Sequence, residues 1–165
     1  MSERDDTSLE EPSEVGVGPH PEPWPDDARL DPELLARGDR RNVLDRYRYW
    51  TVDAIVADLD PHRHDVHVAI ENWEHDFNIG TVIRNANAFL VGAVHVIGRR
   101  HWDRRGAMSP HVYQHVHHPP AVAAFVDWCH ADGRPIVAIE NTPGAEPIER
   151  ARLPRRCALV FGQEG

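Results

Sequence analysis

An α/β fold around a mostly parallel sheet is the prediction for this chain, and three observations carry it. Short, β-branched apolar runs recur through the second half, they alternate with segments of helical spacing, and a length of 165 residues suits one domain with a moderate core. Strands that alternate with helices pair in parallel through crossover connections, which cover the sheet on both faces.

The elements follow in chain order. Residues 1–36 hold Pro12, Pro19, Pro21, Pro23 and Pro25 among acids and small residues. Too little apolar surface is available there to offset the ordering entropy, so a disordered acidic tail is expected. Residues 37–62 are expected to form an N-terminal helical lead, because Leu44, Tyr47, Tyr49, Trp50, Ile55, Val56 and Leu59 approximate one helical face that stops at Asp60-Pro61. The main domain then spans residues 63–165. Val66–Ile70 reads as a strand, Asn78–Leu90 as a helix with Ile79, Val82, Ile83, Ala86 and Phe89 at core spacing, and Val94–Ile97 as a strand ended by Gly98. Tyr113–Val116 is a weak strand, Ala121–His130 a helix closed by Gly133, and Ile136–Ile139 and Ala158–Phe161 are the last two strands. In such sheets ligands lie at the carboxyl ends of the strands. That rule gathers Glu71-Asn72, Gly98-Arg99-Arg100, Glu140-Asn141-Thr142 and Gly162-Gln163-Glu164 on one rim.

Charge is unevenly spread. The formal net charge of -9 resides in Met1–Glu33, where 11 acids face only Arg4 and Arg29, and the remainder is balanced. The acidity therefore does not count against an RNA partner. All 18 basic residues are arginine, a composition that suits bidentate phosphate recognition. Cys129 and Cys157 sit far apart in apolar segments and read as reduced core thiols. No apolar run approaches the roughly 18 residues of a membrane helix, and the N-terminus is acidic where a signal peptide is basic, so a cytoplasmic protein with no membrane partner is expected.

Chemistry concentrates on the helix from Asn78. Asn78 is placed to cap it, and Gly80, Thr81, Arg84 and Asn87 fall on a side away from the apolar stripe. Glycine in a first turn costs up to about 1 kcal/mol against alanine, a cost that close approach of a ligand or backbone would justify. The segment Asn78-Ile79-Gly80-Thr81-Val82-Ile83-Arg84-Asn85-Ala86-Asn87-Ala88-Phe89 closely resembles the first motif of the SpoU/TrmH-type RNA ribose 2′-O-methyltransferases of the SPOUT superfamily. Leu159-Val160-Phe161-Gly162-Gln163-Glu164-Gly165 resembles their second motif, an apolar strand followed by G-x-E, and the similarity runs from about Arg63 to Gly165.

The resemblance implies a Rossmann-like, mostly parallel SPOUT sheet with a C-terminal trefoil knot, S-adenosylmethionine in the knot loops, and a homodimer acting on tRNA or rRNA, with no DNA partner. By position it implies catalytic roles for Arg84, Asn78 and Glu164, and cofactor contacts from Glu140, Asn141, Thr142, Phe161 and Gly162. The family carries a third, serine- and asparagine-bearing motif that has no counterpart up to Gly165, so the chain is expected to be C-terminally incomplete. The alternative reading is a non-catalytic RNA-binding or dimerisation module of the same fold. A second departure is Leu90, where the family usually has glycine.

Two further segments bear on partners. Gly98–Gly106 is a basic loop with one aromatic, and Arg99, Arg100, Arg104 and Arg105 are expected to hold RNA phosphates while Trp102 stacks on a base. His111, His115, His117 and His118 lack a companion C-x-x-C pair or H-E-x-x-H, so no metal is assigned.

Overall fold

The β-branched runs assemble into five parallel strands in the order β3-β2-β1-β5-β4. They are β1 (His64–Asn72), β2 (Val91–Gly98), β3 (Val116–His117), β4 (Ile136–Ile139) and β5 (Cys157–Phe161). This computed structural model describes residues 16–73, 78–103 and 110–162. The chain divides into two units, Met1–Thr51 and Val52–Gly165.

In the first unit, residues 16–36, expected to be disordered, take a defined conformation. Hydrogen bonding to carboxylates orders this segment, rather than a large apolar core. Asp39, fully buried, accepts from the amides of Arg41 and Tyr49 and from the Arg41 guanidinium at 2.7 Å. Burial alone would raise the Asp39 pKa, but these donors hold it at about 2. Asp31 caps α1 (Pro32–Arg37), whose first residue is a proline with φ preset for a helix. Antiparallel bridges Val17–Asp39 and Leu30–Trp50 tie the segment together, and the Tyr49 hydroxyl donates to the Gly18 carbonyl at 2.6 Å.

The single helical lead is also corrected. A short 3-10 turn covers Asp45–Tyr47, and α2 begins only at Val52 and runs to Leu59. Between them Tyr49 has φ 62, a left-handed conformation that ends any continuous helix.

In the second unit, alternate residues of the central strands face two different helices. Ile70, Val94 and Val96 pack with Trp102 against Ile79, Ile83 and Ala86 of α3 (Ile79–Ala88). On the opposite face Ala69, Ile97 and Ala158 pack against Phe125 and Cys129 of α4 (Val122–Ala131). The expected weak strand at Tyr113 shrinks to the two residues of β3, because the Tyr113 carbonyl accepts from buried Arg63 at 2.6 Å. Phe89, placed in the core by spacing, is 72% exposed. The helix stops at Ala88 and the chain reverses through Leu90 at φ 51, which turns Phe89 outward. Leu90 thus occupies a conformation that favours glycine. The trefoil knot and the third motif concern chain outside the described residues.

Candidate active site

The carboxyl ends of β1, β4 and β5 open into a cleft of about 1400 Å³. Helix α3 covers the β1–β2 half of its face of the sheet, and the cleft lies beside it. Ile70, Val137, Ile139 and Phe161 come from the strands, Asn78, Ile79, Thr81 and Val82 from the first turn of α3 and its approach, and the segment from Ala145 to Leu153 adds a wall. Its charged lining is Glu71, Glu140 and Glu146, and no arginine or histidine among the described residues contributes.

Several predicted cofactor residues converge here: Glu140, Asn141, Phe161 and Gly162 all line the cleft. The Glu140 carboxylate accepts from the Asn141 amide at 2.9 Å, and a Cβ on Gly162 would lie 3.6 Å from the other Glu140 oxygen. Thr142 is not in the lining. Its carbonyl accepts from the Ala145 amide at 3.0 Å and closes the turn that brings Ala145 and Glu146 into the wall.

Asn78 lines the cleft but makes no capping hydrogen bond, because its backbone is already helical (φ -86, ψ -16) and its carbonyl accepts from Val82. Arg84 is exposed on α3, one turn past Thr81 on the same side of the helix, about 4.5 Å further along the axis, and outside the cleft lining. Gly80, assigned by spacing to that side, is buried. Glu164, Arg104 and Arg105 lie outside the described residues.

The basic loop divides. Arg99 and Arg100 are exposed, but Trp102 is 5% exposed and belongs to the α3-side core, 5.8 Å edge-to-face from His111. Base stacking by Trp102 is therefore ruled out; its apolar area is consumed in the fold. Sequence reasoning missed Glu146, left Glu71 and Asn72 as unassigned rim residues, and missed a histidine cluster altogether. His67 Nδ1 lies 2.9 Å from His95 Nε2, with His117 and Trp128 against the His95 ring. Burial, followed by neighbouring positive charge, pushes His67 down to about 4 and His95 to about 3. The register pairs His95 with His117 across β2 and β3, and the alternation along each strand was the available signal. Among the described residues no group of three histidines, cysteines or acids is placed to hold a metal ion.

The model of the SpoU rRNA Methylase family matches residues 65–165. The chain belongs to this family. Among solved structures, this SpoU-family chain is similar to an A. aeolicus TrmH/SpoU tRNA modifying enzyme, with TM-score 0.58 and 15% identity over 68% of this chain and 59% of that one. It thus spans less than two thirds of that relative. A structure concerned with 2-OH methylation of C/U34 on tRNA matches with TM-score 0.52 and 21% identity, covering 60% of this chain and 67% of that chain. The SpoU methyltransferase AviRb from Streptomyces viridochromogenes, solved in complex with the cofactor AdoMet, matches with TM-score 0.50 and 23% identity, over 65% and 44% of the two chains. At these identities the likeness establishes the fold. Among curated proteins none matches the sequence.

Proposed function

We propose that this SpoU-family chain carries the S-adenosylmethionine-dependent site for 2′-O-methylation of a ribose in tRNA or rRNA, acting as a homodimer. The observation that supports the reading best is the cleft: it lies at the carboxyl rim, beside the α3 motif, and its charged lining is wholly acidic. A sulfonium and an ammonium are favoured by such a lining, so the residues present fit S-adenosylmethionine. Glu71, Glu140 and Glu146 would face its cationic groups, Asn141 its polar edges, and Gly162 would let backbone approach it. When bound, this group supplies an electrophilic methyl.

The remaining work falls to the chain's own side chains. A ribose hydroxyl is a weak nucleophile, so it needs alignment and stabilisation of the developing alkoxide. Arg84, exposed on α3, provides a planar, permanently charged donor pair for that oxygen. Guanidinium does not give up its proton in the working range, so electrostatic stabilisation is its role and solvent or a phosphate oxygen takes the proton. Asn78 orients the acceptor side. Arg99 and Arg100 hold RNA phosphates on the same rim.

The test is transfer of a radiolabelled methyl from S-adenosylmethionine to total tRNA and to rRNA fragments, followed by nucleoside analysis. Label on ribose is expected, and Arg84→Lys, which keeps charge but loses the fork, should fall by about 100-fold or more. Label on a base would overturn the ribose assignment, and undiminished turnover in Arg84→Lys would remove Arg84 from the chemistry.

A further inference from the structure

The last residue of β1 does something the α3 motif does not account for. Asn72 is 1% exposed, yet it ends a strand at the rim. Its side-chain amide donates to the carbonyls of Arg99 at 2.8 Å and His101 at 3.0 Å, and its own carbonyl accepts from the Arg99 amide at 3.0 Å. A buried amide that satisfies two carbonyls of a loop fixes that loop's path, because each carbonyl left without a donor would cost desolvation. Two further restraints act on the same segment. Gly98, at φ 98, brings the backbone against the Trp73 ring, where a Cβ would lie 2.8 Å away. Trp102 then buries its indole in the α3-side core. Between these anchors only the side chains of Arg99, Arg100 and His101 are turned to solvent.

We infer that Asn72 is a positioning residue for RNA: through the backbone of Arg99 and His101 it sets the direction in which Arg99 and Arg100 meet the phosphates. This rests on the reading of the rim as an RNA methylation site. The preceding residue, Glu71, lines the cleft, so consecutive residues of β1 serve the donor side and the acceptor side. Successive strand side chains point to opposite faces, which lets one strand end do both.

The experiment measures binding of total tRNA across a salt series for wild type, N72D, N72A, R99A/R100A and the triple variant N72D/R99A/R100A, with thermal melting of each. Aspartate keeps the shape but offers no donor to the two carbonyls. R99A/R100A is expected to weaken binding roughly tenfold and to reduce the magnitude of the salt slope by about 1. N72D and N72A should reproduce both effects while melting cooperatively, and the triple variant should be no weaker than R99A/R100A, since the residues act as one unit. If R99A/R100A leaves binding and slope unchanged, the RNA reading of the loop fails. If R99A/R100A weakens binding but N72D and N72A do not, or if the losses simply add in the triple variant, the positioning role is overturned. Loss of cooperative melting in both Asn72 variants would make Asn72 a core residue and overturn it equally.

Discussion

The two ends of the parallel sheet are built from opposite chemistry. At the amino ends, charges close on one another: Arg134, with a side chain 5% exposed, bonds Asp65 at 2.7 Å and Asp132 at 2.9 Å, and Arg156 bonds Asp132 at 2.8 Å. Arg63 does the same between Asp60 and the Tyr113 carbonyl. At the carboxyl ends, Glu71, Glu140 and Glu146 line a cleft to which no basic side chain among the described residues contributes, and Arg99 and Arg100 are exposed. Charges compensated within the fold stabilise it, while charges left for a ligand define a site. The difference teaches where a substitution should change stability and where it should change binding.

Acid should break the amino-end half first and most. His67 and His95 favour their neutral forms in the fold, chiefly through burial, with Arg134 and His117 adding to the effect and Asp65 opposing it at His67. Because the folded pKa values lie below the unfolded value of about 6.5, stability is complete above that pH. It falls as pH drops from about 6.5 toward about 4 and about 3. A loss of about 3 kcal/mol between pH 7 and 5 is expected in urea melts; His95→Phe should flatten that dependence. Next, Arg134→Ala removes bonds to two carboxylates and the guanidinium above Trp128. It should cost about 2 kcal/mol by chemical denaturation while leaving tRNA affinity unchanged. The smallest change should run the other way. Leu90 holds φ 51, and its carbonyl accepts from the His64 amide at 2.7 Å. Leu90→Gly relieves the backbone and should stabilise by about 1 kcal/mol, read as a higher Tm with no change in RNA binding. An equal loss of RNA affinity in Arg134→Ala would dissolve the division between the ends.

What was legible in the sequence was whatever local periodicity governs. The β-branched runs became β1, β2, β4 and β5, and the motif from Asn78 became a helix beside the cleft, as its spacing implied. What escaped was decided across long separations. Trp102 looks like a stacking residue in its own segment, but Asn72, 27 residues away from Arg99, bends the loop so that the indole enters the core. The histidine cluster joins residues from three strands and becomes visible only with their register. Residues 16–36 look too polar to fold, yet order there arises from carboxylates accepting backbone amides, which composition does not measure. The Glu71 carboxylate gained meaning only when β4 and β5 placed Glu140 and Gly162 around the same opening.

The strand lengths carry one more consequence. The sheet's two outer members, β3 and β4, are two and four residues long, and Pro135 stands immediately before β4. An edge that short offers few unpaired amides and carbonyls to a foreign strand, and a proline beside it removes one donor. The longest strands, β1 and β2, are shielded between neighbours. The order of strands that gathers the site at one rim thus also limits edge-to-edge aggregation.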